Sequence, residues 1–320
     1  MNRLFLLGFI CTAIAACGGG SDGLAGGGGS PAPAAGLKID SSNAQAASKA
    51  SYDSAAGSVE VGTLLTDSGP IAANPAGSMK AAQQFSKLTG SDMQQSLVPV
   101  TEDCLSGSYT VDATLANPFT ITPGDSFSIV FNECDEGFGE VLNGTLDFTI
   151  DALSGDLAGG MYELQVSMSL TDFQVSSDAD VVTSNGDATV VLDLTNNPLV
   201  LASTSGNSLQ TVSNASSDTL RNFSSSQSVN AGLEPAPFSW DASGTLDTTR
   251  LTDTVTYSTP VTFEGYDLDY PYTGELLVVG DSSSARIVAI DSVNVRIDID
   301  SDGDGNVDES IETTWAEFNN

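Results

Sequence analysis

The chain of 320 residues has no histidine. That absence removes Ser-His-Asp and Cys-His catalysis, histidine zinc sites and the commonest general base. Basic residues are scarce, with 9 Lys plus Arg against 42 Asp plus Glu and a formal net charge of −33. A field of that sign repels nucleic acid and anionic lipid headgroups and draws in cations. Phosphate neutralisation needs basic residues, so a nucleic-acid partner is excluded. No serine stands three residues before a lysine, which removes the Ser-x-x-Lys nucleophile. Long apolar runs are also missing. The stretch Leu4–Ala16 is too short to cross a bilayer as a helix, which takes about twenty residues. Cysteine is limited to four positions, with no Cys-x-x-Cys spacing. Carboxylates are the one catalytic resource in plenty. Asp135, Glu136 and Glu140 sit close together, but with 42 acidic residues such proximity carries little, and a hydrolase ranks third among the functions considered.

What is present begins at the amino terminus. Met1-Asn2-Arg3 brings one positive charge ahead of the apolar run, the pattern of an export signal over residues 1–16. The run ends Ile14-Ala15-Ala16-Cys17. This resembles the lipobox of bacterial lipoprotein precursors. The resemblance implies that the Cys17 thiol receives a diacylglyceryl group, that cleavage falls before it, and that the new amino terminus is acylated. Residues 17–36 form a Gly/Ser/Pro/Ala tether with nothing to bury. Several acyl chains anchor a protein stably to a membrane. Gly18 follows the cysteine where the Gram-negative sorting rule would need aspartate for inner-membrane retention. The resemblance therefore implies the outer membrane and leaves its face open.

Two cysteines remain for the body of the protein, Cys104 and Cys134. They flank two expected strands, Ser108–Leu115 and Ser126–Asn132, joined by a Pro/Gly-containing turn. An antiparallel hairpin would bring them side by side, and an exported chain meets an oxidising space, so a disulfide is expected.

Residues 37–100 read as a helix-containing segment that packs on a sheet. Ser42–Ala55 is alanine-rich with serine caps available, and Ser78–Leu88 follows Pro75 and stops at Thr89-Gly90. Val59–Leu65 between them reads as a strand. From residue 101 to 320 the period becomes two, as in Leu146, Phe148 and Ile150 or Leu164, Val166, Met168 and Leu170. Ser154-Gly155-Asp156, Asn185-Gly186-Asp187 and Ser205-Gly206-Asn207 read as turns between strands, with Asn185-Gly186 suited to a type I′ hairpin. Ser213–Pro237 reads as containing a surface loop. The word Gly-Thr-Leu-Asp occurs at 144–147 and again at 244–247. The expected fold is mainly β: an antiparallel meander of about a dozen strands curled into a half-barrel, with two short N-terminal helices. A β-sandwich is the alternative.

One motif carries chemistry. Residues 295–309 place Asp298, Asp300, Asp302, Asp304, Asn306, Asp308 and Glu309 in alternation with Gly303 and Gly305. Oxygen ligands at alternate positions, with glycine to turn the chain, suit a structural calcium ion. Two registers fit. One starts at Asp298 and closes with Glu309. The preferred one starts at Asp300, uses Asp302, Asp304 and Asn306, turns at Gly305, points Val307 inward, and closes with Asp308 or Glu309. That register resembles dockerin and thrombospondin type 3 loops as well as EF-hand loops. The flanks read as strands, Val293–Ile299 and Ile311–Trp315, so the loop should bridge a hairpin.

The C-terminal fifty residues also resemble a group of bacterial lipoproteins through Tyr270-Pro271-Tyr272-Thr273-Gly274-Glu275-Leu276, the aspartate loop, and Thr313-Thr314-Trp315-Ala316-Glu317-Phe318. The resemblance implies a secreted, membrane-anchored β protein and transfers no activity. Tyr266, Tyr270 and Tyr272 lie in the most aromatic stretch and offer a loop for a protein or glycan. The functional expectation is a non-catalytic envelope or surface module with a structural calcium site. A carrier of lipid or another apolar ligand in a half-barrel cavity is the second reading.

Overall fold

The computed structural model describes residues 36–63 and 99–319, apart from 118–119, 136, 138, 158, 178–180, 214–215 and 268. The signal segment, Cys17, most of the tether and the expected Ser78–Leu88 helix lie outside the described residues. Among the described residues, one helix, α1 (Ala44–Thr63), precedes the sheet. It starts two residues later than expected and runs through Val59–Thr63, the described part of the expected strand Val59–Leu65. Fourteen strands follow: β1 (Val100–Asp103), β2 (Ser106–Thr114), β3 (Ser126–Asp135), β4 (Val141–Asp156), β5 (Met161–Ser176), β6 (Val181–Asp193) and β7 (Leu199–Val212). The second half comprises β8 (Ser217–Asn230), β9 (Pro237–Thr248), β10 (Val255–Tyr266), β11 (Thr273–Gly280), β12 (Ser283–Ala289), β13 (Asn294–Asp300) and β14 (Glu309–Thr314). Trp315–Phe318 closes the chain as the short helix α2.

Every strand pairs antiparallel with its sequence neighbour, and the single sheet stays open between β1 and β14. The meander follows from connections too short for crossover helices. It is one sheet, so the sandwich alternative does not apply. The segment read as containing a loop, Ser213–Pro237, is mostly strand β8.

The strands β4 to β8 are 13 to 16 residues long, and they bend. Burial changes parity within single strands. In β3 the buried residues run Phe127, Ile129, Phe131 and then Cys134. In β8 they run Asp218, Leu220 and then Phe223, Ser225, Gln227 and Val229. Each switch needs one extra residue, a β-bulge. The bulges fall where non-glycine residues take positive φ: Glu133 (48°), Asp172 (47°) and Asn222 (46°). Register breaks at the same places, between Phe131 and Cys134, Leu170 and Phe173, and Arg221 and Ser224. The bulges stand beside one another and form a crease across the sheet. Two Asn-Gly pairs build it. Asn143 Oδ1 accepts the Glu133 N–H at 2.8 Å, and Asn185 Oδ1 accepts the Asp172 N–H at 2.7 Å. Gly144 (φ 88°) lies against the Asp172 carbonyl, and a Cβ on Gly186 (φ 132°) would sit 2.5 Å from the Ser208 carbonyl oxygen. Asn185-Gly186 is therefore the middle of β6 and not a hairpin turn, and Ser205-Gly206-Asn207 lies inside β7. Ser154-Gly155-Asp156 ends β4, with the turn just beyond it.

The crease lets the sheet fold around α1. On α1 the buried residues are Ala44, Ala47, Ser48, Ala50, Ser51, Ser54, Ala55, Ser58, Val59 and Val61. At 100° per residue they cover about 180° of the helix, wider than the stripe of about 100° that a surface helix shows. Consecutive helix residues reach distant parts of one strand pair. Tyr52 packs on Trp240 at 5.7 Å between centroids, while Asp53 pairs with Arg250, ten residues further along. Small side chains on α1 permit this close seat. The helix touches β6 through β13. Upstream of it, Leu37 bridges the Thr254 carbonyl and the Asp281 N–H, and the Ile39 N–H donates to Ser283 Oγ at 2.7 Å.

The other face of the sheet is polar. Thr114, Ser126, Thr149, Ser167, Thr189, Ser205, Ser224, Ser243 and Ser258 form one cross-strand row from β2 to β10. The unbroken hydroxyl row shows why alternation is so clean here: one face is core, the other is water.

Candidate functional site

The aspartate loop bridges β13 and β14, which pair with Ile299 opposite Glu309. The expected hairpin is present. Asp300, Asp302 and Asp304 each offer an oxygen, and these oxygens lie within 4.8 Å of one another. The loop is wound by its own aspartates. Asp300 accepts the Gly303 N–H at 2.7 Å through one oxygen and the Gly305 N–H at 2.9 Å through the other. Asp304 Oδ1 accepts the Asn306 N–H at 2.8 Å. Gly303 (φ 74°) and Gly305 (φ 86°) take the left-handed turns.

The remaining candidates divide. Asp298 is on the strand, where its two oxygens face the Arg296 guanidinium at 2.7 and 2.9 Å, and Ser310 donates to it at 2.7 Å. Those hydrogen bonds and the arginine charge lower its pKa against the opposing effect of burial. A register beginning at Asp298 would have to break this pair. Asp308 accepts both the N–H and the hydroxyl of Ser301, at 2.9 and 2.6 Å, which lowers its pKa. It stands outside the group of three, as does Glu309. Val307 is 57 % exposed and does not point inward. The loop has no core beneath it, unlike the helix-flanked loops that suggested an inward valine.

Cys104 and Cys134 form the expected disulfide, with Cα atoms 5.4 Å apart. It ties the start of β2 to the bulged end of β3. A closed loop of about thirty residues contributes on the order of 3–4 kcal/mol.

The tyrosine loop joins β10 to β11. Tyr266, Tyr270 and Tyr272 are each more than one-third exposed. Tyr270 stacks on Trp315 at 5.7 Å, and Tyr266 leans on Tyr272 at 5.6 Å. The Trp315 indole N–H, shared between the carbonyls of Pro271 and Asp291 at 3.2 and 3.1 Å, holds the loop against the β12–β13 turn. The loop is thus both packed from below and open above.

Two constellations escaped the sequence reading. Arg250 bridges Asp53 and Asp218, at 2.8 Å to each, and Thr248 donates to Asp218. Lys49 lies 3.8 Å from Asp53 and donates to the Asn319 carbonyl at 2.8 Å. Burial raises the Asp53 pKa, opposed by Lys49 and Arg250, and burial lowers that of Lys49. Such a network fixes the seat of α1 more than it adds stability. The second is an aromatic cluster in which Tyr52 meets Trp240, Phe263, Trp315 and Phe318, all within 6 Å. Its members are 266 residues apart at the extremes, and no local pattern signals them.

A hollow of 330 Å³ opens on the polar face between β4 and β7, bordered by Asp147, Asp187 and the hydroxyl row. Among the described residues, α1 covers the inner face over β6–β13. Among known proteins, no family model, no curated protein and no solved structure matches the chain.

Proposed function

We propose that this protein is a lipid-anchored module of the outer membrane, non-catalytic, whose C-terminal hairpin is locked by a structural calcium ion. The observation that carries the calcium half is the convergence of Asp300, Asp302 and Asp304 on one point of a glycine-turned loop. Three carboxylates that close repel one another unless a cation sits among them, and hard oxygen donors select calcium over softer metals. Asn306, Asp308 and Glu309 follow on the same loop and would complete the shell, Asp308 by leaving Ser301. The ion would order the hairpin and neutralise local charge, and no step of chemistry is asked of it. The Tyr266, Tyr270 and Tyr272 rim is the surface for a protein or glycan partner.

The test is thermal unfolding in excess EDTA and then in about 1 mM calcium. For a dissociation constant near 10 μM, linkage gives about 2.7 kcal/mol of stabilisation. The shift should vanish in Asp302→Ala and persist in Asp298→Asn. An equal response of Asp302→Ala and the parent would remove the ion from this loop. The anchor rests on the Cys17 motif and has its own test. Cys17→Ser should move the protein from the membrane fraction to the soluble envelope fraction, and continued membrane association would sink it.

A further inference from the structure

The floor beneath α1 is polar where a core would be apolar. Ser48 and Ser51 on α1 are fully buried, Thr204 on β7 is 2 % exposed, and Ser225 and Gln227 on β8 are 5 % and 6 % exposed. The side-chain oxygen of each finds no hydrogen-bond partner among the described residues. Three of them adjoin on the sheet, and the other two lie on the helix that packs over the same strands, β7 and β8. Thr204 and Ser225 stand directly opposite each other across the β7–β8 ladder. Gln227 lies two residues on, facing the same way. Its cross-strand partner Trp240 packs on Tyr52, which adjoins Ser51 and lies one turn from Ser48. Helical serines have an alternative, a bond back to the preceding turn. Ser54 takes it, donating to the Ala50 carbonyl at 2.8 Å, and Ser58 donates to Ala55 at 2.7 Å. Ser48 and Ser51 do not.

Buried polar atoms without partners are few in a native fold, because each forfeits its hydration on burial. Five such atoms between one helix and the two strands it packs on point to an occupant. The hydroxyls both donate and accept, the Gln227 oxygen accepts, and no charged group belongs to the set. Arg250 and the Asn319 carbonyl already engage the nearby Asp53 and Lys49. A small neutral molecule that donates twice and accepts twice satisfies such a set, and that molecule is water. We propose that the seam between α1 and β7–β8 is an internal hydration site, in which ordered water bridges Ser48 and Ser51 to Thr204, Ser225 and Gln227. The helix would then be seated on the sheet partly through water.

The sign of a substitution separates a wet seam from a dry one. Thr204→Val keeps the shape and removes one oxygen. In a wet seam the bridging water loses a partner, and the unfolding midpoint of the full chain falls by about 2 °C or more. In a dry seam the same change removes an unpaired oxygen, and the midpoint stays or rises. Ser51→Ala repeats the test from the helix side. An unchanged or raised midpoint in both variants overturns the proposal. A crystal structure of the full chain gives a second readout that does not depend on stability. Water density within hydrogen-bond distance of two or more of the five oxygens supports the site. A seam whose oxygens bond only to one another or to main-chain carbonyls, or density for a larger polar molecule, overturns it.

Discussion

At the scale of single residues, the end of the chain shows how few atoms hold a long-range contact. Thr314 caps α2, accepting the Glu317 N–H at 3.1 Å, while Glu317 accepts the Thr314 N–H at 3.3 Å. This capping box orients Trp315 and Phe318, both fully buried against Tyr52. Thr314→Ala should therefore cost about 1 kcal/mol. The bonds from Thr314 and Thr313 hold the Glu317 carboxyl below its ordinary value of 4.5. Its folded pKa lies under the unfolded one, so the contribution is present above pH 4.5 and fades as pH falls through the folded value. Denaturant midpoints of the parent and Glu317→Gln should differ at neutral pH, and the difference should close as pH falls below 4.5 and through the folded value. A gap independent of pH would mean that the carboxylate form is not what caps the helix. The motif around Trp315 was visible in the sequence, but its target was not. Tyr52 lies far along the chain, and no periodicity links the two.

At the scale of elements, the crease decides what could be read in advance. Strand identity was legible because alternation over five or more residues has one physical cause, a core face and a water face. Strand length was not. Asn185-Gly186, which reads as a turn, marks a position where a strand takes positive φ without reversing, and Gly206 in Ser205-Gly206-Asn207 makes room for the Phe223 ring inside β7. Turns and bulges ask the same thing of the backbone, so composition alone does not separate them. The repeated Gly-Thr-Leu-Asp word now has a local meaning. Gly144 lies on the crease in β4, and Gly244 packs close to Tyr257 and Phe223 in β9, so both words begin where a Cβ would be crowded. Two opposite substitutions test the crease. Gly144→Ala would drive a Cβ into the Asp172 carbonyl and should destabilise by more than about 1 kcal/mol. Glu133→Gly relieves a left-handed glutamate, a strain of about 1–2 kcal/mol, at an entropic cost of about 0.5–1 kcal/mol. The net should be neutral to slightly stabilising. Loss of stability in Glu133→Gly comparable to that in Gly144→Ala would show that the bend depends on something other than these backbone conformations. The candidate metal loop was legible for a related reason: its ligands and glycines are contiguous, so spacing in sequence is spacing in space. The buried Arg250 network draws on residues 53, 218, 248 and 250, and only the folded sheet brings them together.

At the scale of the whole molecule, an open sheet of fourteen strands has two edges without a strand partner among the described residues, and such an edge is a template for another chain. Closure into a barrel would remove them, but α1 occupies the concave side and holds the sheet open. Charge guards the edges instead. β1 reads Val-Thr-Glu-Asp and is exposed throughout, and β14 carries Glu309 and Glu312 on exposed positions. A net charge of −33 extends the same protection over long range. The two protections differ in reach. Salt screens the long-range term within about 10 Å at 0.1 M, whereas a carboxylate on the edge strand still meets an approaching strand at contact distance. Moderate salt alone should therefore leave the protein monomeric. Removing the local charge by Glu312→Val should produce concentration-dependent dimers in the same salt, read by light scattering after size separation. Association of the parent protein in salt, with no added effect of Glu312→Val, would place the protection in the net charge and not at the β14 edge.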